Sequence, residues 1–186
     1  MKAIATLLAT GLLLAAASAS ASDIDYAQSR IGFTFTQMNV PVEGSFRKFR
    51  AQMRFDDKRP EAARAEIEVD LASIDTGAPD GDTEAQRKPW FDSATHPTAR
   101  FVSSNVKRLA PDRYEIAGTL TLKGRARDLK IPVDVTRAGA ERRFTGGFVL
   151  KRLEFSIGEG PWADVETVAD AVQVRFRIVQ RAAAKP

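Results

Sequence analysis

The sequence predicts an all-β protein: eight antiparallel strands, closed into a barrel or packed as a sandwich, with one short helical excursion. Apolar and polar residues alternate at period two along most of the chain, the spacing that gives a strand one apolar face. Turn residues separate the runs at short intervals. The clearest case is residues 114–135, where Tyr114, Ile116, Leu120 and Leu122 alternate with polar residues, as do Leu129, Ile131, Val133 and Val135. Lys123-Gly124-Arg125 joins the two runs, because Gly124 can take a positive φ without a Cβ clash. Pro132 has no N–H, so it must sit at a bulge or where the ladder needs no donor. Such a hairpin cannot keep its apolar face from water alone, so the other runs must supply its partners.

Ile31, Phe33 and Phe35 mark the first strand, ended by Asn39-Val40-Pro41. The second covers residues 42–55. Its Phe46 and Phe49 are three apart, so the alternation breaks at Arg47-Lys48 and predicts a bulge there. Ala65, Ile67, Val69 and Leu71 give the third strand, with acidic residues on its other face. Residues 75–97 form the one long non-strand stretch, in which Asp82 is the candidate cap of a short helix over residues 83–88. Two bulky aromatics, Trp90 and Phe91, stand on this polar excursion and must fold back, either to seal a core or to cover a cavity. The fourth strand spans residues 98–106, and the fifth and sixth are the hairpin. Ala138-Gly139-Ala140 turns into the seventh, with Phe144, Gly146, Phe148 and Leu150. Residues 153–157 continue it as an extended or bent segment, which Gly158, Gly160 and Pro161 break. Val172, Val174, Phe176 and Ile178 define the eighth.

The first residues read as an export signal rather than as part of the fold. Lys2 precedes an apolar run through Ala17, and Ala19-Ser20-Ala21 is a small-residue cleavage pattern. The run falls short of the roughly 20 residues a membrane span prefers. Residues 1–21 are therefore expected to be a signal peptide, and residues 22–186 one periplasmic domain, large enough for a core without staples. The chain has no Cys and a single His, His96, which leaves little for a zinc or soft-metal centre. The formal charge is +4, or +3 without Lys2. Acidic residues scattered among the basic ones, together with export, argue against nucleic acid as a partner.

Enzyme chemistry finds no constellation. His96 lies in a turn before a strand, no G-x-S-x-G elbow or glycine-rich phosphate loop is present, and the paired carboxylates suit solvation or capping. Eight-stranded barrels either fill with side chains or hold one small ligand. Ala51, Ala65, Gly118 and Gly146 sit in phase with the large inner residues. They favour free space, although alternation of large and small also lets a dry core interdigitate.

An ordered set of short motifs resembles the YceI-like family of exported, lipocalin-like barrels. It comprises Phe33-Thr-Phe35, Gly44-Ser-Phe46 through Phe55-Asp56, Asp70-Leu-Ala-Ser-Ile-Asp-Thr76, and Trp90-Phe-Asp92 with His96-Pro97. It continues with Gly118-Thr-Leu-Thr-Leu-Lys-Gly124, Leu129-Lys-Ile-Pro-Val133 and Lys151-Arg-Leu-Glu-Phe-Ser-Ile-Gly158. The resemblance spans residues 25–179. It implies an eight-stranded antiparallel lipocalin-like β-barrel that binds a polyisoprenoid or similar amphiphilic lipid. The chain departs from the family where Gln37-Met38 stands in place of a His after the first strand.

On this reading the lipid tail lies against Phe33, Phe35, Phe49 and Ile67, and against Phe101, Ile116, Leu120, Phe148 and Phe176. Trp90 and Phe91 cover one end. Each buried CH₂ contributes on the order of 0.8 kcal/mol, so the tail supplies affinity and the head group must supply choice. The basic turn offers Arg125 and Arg127, with Lys123 and Lys130, as candidates for a prenyl phosphate head; an isoprenoid quinone is the other ligand in view. No resident cofactor is expected beyond such a lipid. Two alternatives are open to the sequence: a quinone-binding accessory of a membrane redox protein, and a solid structural or stress-protective barrel. A membrane-protein partner and homodimer formation are left open.

Overall fold

The computed structural model describes residues 23–181. The expected signal peptide lies outside the described residues. Eleven antiparallel strands and one helix occur in order: β1 (Asp23–Ile24), β2 (Arg30–Gln37), β3 (Val40–Phe46), β4 (Phe49–Arg54), β5 (Arg64–Asp70), β6 (Ile74–Asp75), α1 (Pro79–Ala85), β7 (Thr98–Ala110), β8 (Arg113–Leu122), β9 (Arg125–Ala138), β10 (Glu141–Lys151) and β11 (Ala171–Arg181). The eight expected strands account for ten of these. One of them is split into β3 and β4 by the break at Arg47-Lys48, and another into β5 and β6 by a single 3₁₀ turn at Leu71–Ser73. The addition is β1, a two-residue strand on the end of β11.

The pairing order is β4-β5-β7-β8-β9-β10-β11-β2-β3-β6, every neighbour antiparallel. Because β3 and β4 are two arms of one bent strand, the circuit returns to its start and the sheet curls into a barrel. The bend is stapled to the turn after β5: Arg47 N donates to Ser73 O at 3.0 Å, and Lys48 N to Ser73 Oγ at 3.0 Å. Curling buries the inward set that period two defines and leaves the alternate set wet. Lys123 (φ 47) and Gly124 (φ 71) form the two-residue turn between β8 and β9, with Leu122 facing Arg125. Pro132 sits where β9 loses its second neighbour, since pairing with β10 ends at Val133–Gly146.

The helix departs from expectation. It begins at Pro79, which occupies its first turn, and its N-cap is Ala78. Asp82 lies inside the helix. Its carboxylate accepts from Thr76 N at 2.6 Å and Thr76 Oγ1 at 2.8 Å, tying the helix to the end of β6.

The two barrel ends differ. The β4–β5, β7–β8 and β9–β10 connections gather at one end, which is packed shut. There Phe55 meets Tyr114 and Phe144 edge-on, both at 5.3 Å between ring centres. Asp57 is clamped outside these rings by Arg137 and by Arg142, the latter at 2.9 Å. Burial alone would raise the Asp57 carboxyl, but hydrogen bonds from Arg137 and Arg142 outweigh it and hold the group below the ordinary value. A depressed folded pKa gives stability that is present above the unfolded value, near 3.9, and lost as pH falls through the folded one. Thermal melts should therefore be flat above about pH 5 and decline below about pH 4. Asp57→Asn should lower the neutral-pH melting point and flatten part of that decline. An unchanged acid limb in the variant would remove Asp57 from the account.

Candidate functional site

The inward faces do not meet. They enclose a cavity of about 670 Å³, within the range of small-molecule sites. Its wall takes Phe33 and Phe35 from β2, Ile67 from β5, Phe101 from β7, and Ile116 and Leu120 from β8. Phe148 of β10 and Phe176 of β11 complete the opposite side, and Trp90 and Phe91 reach it from the segment after α1.

Phe49 does not reach this space. It heads β4 just past the bend, opposite Val69, where its ring packs on Tyr26, 5.5 Å away, at the edge of the core. Its place at that level is taken by Phe46, which lines the cavity and contacts Phe33 at 5.5 Å and Phe91 at 6.0 Å.

The cavity stays open because of how the phenyl rings lie. Phe33 pairs with Gly44 and Phe176 with Gly146 across adjacent strands, and Phe101 sits diagonal to Gly118. A Cβ on Gly44 would stand 2.3 Å from the Phe33 ring, on Gly146 2.6 Å from the Phe176 ring, and on Gly118 2.5 Å from the Phe101 ring. The rings thus lie flat on bare backbone instead of projecting to the axis. Glycine here makes room for an aromatic ring rather than leaving a hole. Of the small inward residues expected to make space, Ala65 lines the cavity, whereas Ala51 is buried in the core.

Ala78 and Asp80 line the cavity and are themselves exposed, which puts the mouth beneath α1. Gln37, Thr76 and Glu84 add polar atoms near it. The charge at this rim is acidic. The basic turn is elsewhere. Lys123 is not available, because its side chain is 8% exposed and its ammonium donates to Lys88 O at 2.9 Å, Ser156 O at 2.6 Å and Glu159 at 3.0 Å. Arg125 and Arg127 are exposed and line no part of the cavity; Arg127 donates to Glu154 O at 3.2 Å. The alternation that points β9 inward is capped at this level by the 3₁₀ turn at Arg152–Phe155, so the arginines cover that turn from outside. Lys130 is likewise exposed. These residues serve the hairpin and its neighbouring loop, not the mouth.

A residue that sequence reasoning passes over frames the mouth. Arg152 is 1% exposed, and all five guanidinium N–H groups meet backbone carbonyls. Nε reaches Ala169 at 3.2 Å, Nη1 reaches Ile157 at 2.9 Å and Gly158 at 3.1 Å, and Nη2 reaches Trp162 at 2.7 Å and Val168 at 2.6 Å. The cation also sits 5.7 Å from the Trp90 ring centre, and Trp90 packs on Trp162 at 5.4 Å. Burial pushes the guanidinium down from its ordinary value, against the pull of Asp170. Gly158 (φ 79) leaves the space it needs, since a Cβ there would stand 2.1 Å from Nη1. The loop between β10 and β11 is thereby wound around one side chain, and it carries Trp162 and Val168 to the cavity wall.

His96 lies just before β7 and lines no part of the cavity. Its ring packs against the β8–β9 turn, 3.3 Å from the position of a Cβ on Gly124.

The family model of the YceI-like domain matches residues 23–180, which takes in the whole barrel. The chain belongs to the YceI-like family. A UPF0312 protein of Photorhabdus laumondii is 30% identical over 175 residues, covering 86% of this chain and 90% of that one. Among solved YceI-like folds, Burkholderia cenocepacia BcnA superposes with a TM-score of 0.82 at 40% identity, covering 84% of this chain and 99% of that one. A polyisoprenoid binding domain from Saccharophagus degradans superposes with a TM-score of 0.72 at 17% identity, over 87% of this chain and 98% of that one. At that identity the likeness shows the YceI-like fold alone.

Proposed function

We propose that this protein carries a polyisoprenoid or related amphiphilic lipid in its barrel, in the periplasm, after residues 1–21 are removed. The observation that supports this most is the cavity itself: about 670 Å³, open at one mouth, and walled by phenyl rings and aliphatic side chains. A wall so largely apolar, with few polar side chains among its lining, rewards an apolar chain and penalises a polar one. The neighbouring domain described as polyisoprenoid binding agrees with this reading. The apolar run before Ala19-Ser20-Ala21 supports export. A carrier needs to receive and release its cargo, so a membrane or a membrane-protein partner stands on both sides of the cycle. A solid structural barrel is disfavoured by the open space, and a redox accessory would differ only in the head group carried.

The test is gentle purification of the secreted chain, solvent extraction and mass spectrometry of the released material. An isoprenoid or comparable long-chain lipid near one per protein is expected. If nothing apolar co-purifies, and the protein retains no prenol or quinone after incubation, the carrier reading fails.

A further inference from the structure

A second concavity lies outside the barrel wall, at the seam where β3 bends into β4. It measures about 500 Å³ and is bounded by Arg30, Arg47, Lys48 and Arg177, with Tyr26 and Ser45 between them. Its charge is poorly matched by the protein. Arg177 of β11 and Arg30 of β2 are directly opposite in the ladder, an arrangement that costs stability when nothing neutralises it. Arg47 has Asp75 at 3.0 Å and Asp82 at 3.9 Å. Among the described residues, Arg30, Lys48 and Arg177 have no carboxylate within ion-pair distance, and Arg177 instead donates to Gln28 O at 3.0 Å. The Tyr26 hydroxyl accepts from Ala51 N at 3.3 Å and keeps its own proton to give. Gly32 of β2 leaves the floor bare enough for the Arg30 side chain to lie over it, 3.7 Å from where a Cβ would be.

We infer that this seam is a binding site for a phosphoryl group. Three cations without counter-ions, one more shared with Asp75, and the Tyr26 hydroxyl line a space with ample room for a phosphate monoester, with arginines able to bind it bidentately. Phe46 lines both this groove and the barrel cavity, so the two adjoin at that side chain. The phosphoryl group therefore has two sources: a small phosphorylated solute, or the head of a lipid whose tail enters past Phe46. Only the second source rests on the carrier reading.

The experiment titrates inorganic phosphate, a short prenyl monophosphate and the matching prenol into the secreted chain, reading affinity and melting temperature. Arg30→Gln and Lys48→Gln are compared with Arg125→Gln, which removes the same charge from the distant hairpin. Wild type should bind phosphate and melt higher with it. Arg30→Gln should melt higher than wild type without anion, lose about tenfold or more in phosphate affinity, and leave prenol binding unchanged. Arg125→Gln should behave as wild type toward phosphate. If Arg30→Gln weakens the prenyl phosphate far more than inorganic phosphate, the source is a lipid head; equal weakening assigns a free solute. No phosphate binding by wild type, or equal losses in Arg30→Gln and Arg125→Gln, would overturn the site. Prenol retention reads the cavity separately, so failure of the groove and failure of the carrier reading are distinguishable.

Discussion

Arg152→Leu should be the most damaging single substitution in the barrel. Leucine fits the volume of the side-chain stem but supplies none of the five N–H donors, so the buried carbonyls of Ile157, Gly158 and Val168 and the part-buried ones of Trp162 and Ala169 lose these partners. Each orphaned buried acceptor costs about 1–3 kcal/mol. Even with relaxation the loss should reach about 4 kcal/mol or more, which places it among exceptional substitutions. In a domain of this size that corresponds to a melting point lower by about 10 °C or more. Arg152→Lys should recover only part of the loss, because one ammonium cannot reach carbonyls that diverge around a planar fork. Hydrogen exchange would localise the effect: protection should vanish first in the loop between β10 and β11, with β7–β9 holding longer. A global melt of Arg152→Leu within about 1 kcal/mol of wild type would show that water replaces the guanidinium without cost.

The second large effect should fall on cargo and spare the fold. Ala65→Phe and Val174→Phe each add a ring to a position on the cavity wall. In a packed core such growth costs about 1–3 kcal/mol. Here the ring enters open space and buries its own surface, so the melting temperature should hold or rise. Bound lipid per protein should fall about tenfold, since losing van der Waals room for a few CH₂ groups costs about 0.8 kcal/mol each. Thr121→Phe, on the exposed face of β8, should change neither quantity. Unchanged lipid in both cavity variants would mean that the chain does not lie in the barrel at all.

The fold is legible wherever the pattern is local. In β8 and β9 strict alternation names the inward set, and Lys123-Gly124 names the turn between them. Even the bend at Arg47-Lys48 shows in the three-residue spacing of Phe46 and Phe49. That same bend misplaces a residue: spacing tells that a face changes, not which of two phenyl rings reaches the cavity. Asp82 reads as a cap when its acidic side chain is weighed and Pro79, the stronger start signal, is not. The role of Arg152 does not show, even within the Lys151–Gly158 motif, since its hydrogen-bond partners are backbone carbonyls, and carbonyls have no letter in a sequence. The basic turn misleads for a related reason. Four cations in eight residues state a charge density, but whether they meet ligand, solvent or a neighbouring loop depends on the 3₁₀ turn beside them.

The rings laid on glycine carry one more consequence. A passage bordered by projecting leucines widens and narrows as rotamers hop, and it admits guests of many girths. Here Phe33, Phe101 and Phe176 are pressed against backbone, so at these three places the wall is set by strand spacing and ring thickness rather than by rotamer choice. For the lipid cargo proposed above, such a wall favours a thin, unbranched or methyl-branched chain over a fused ring system of equal hydrophobicity.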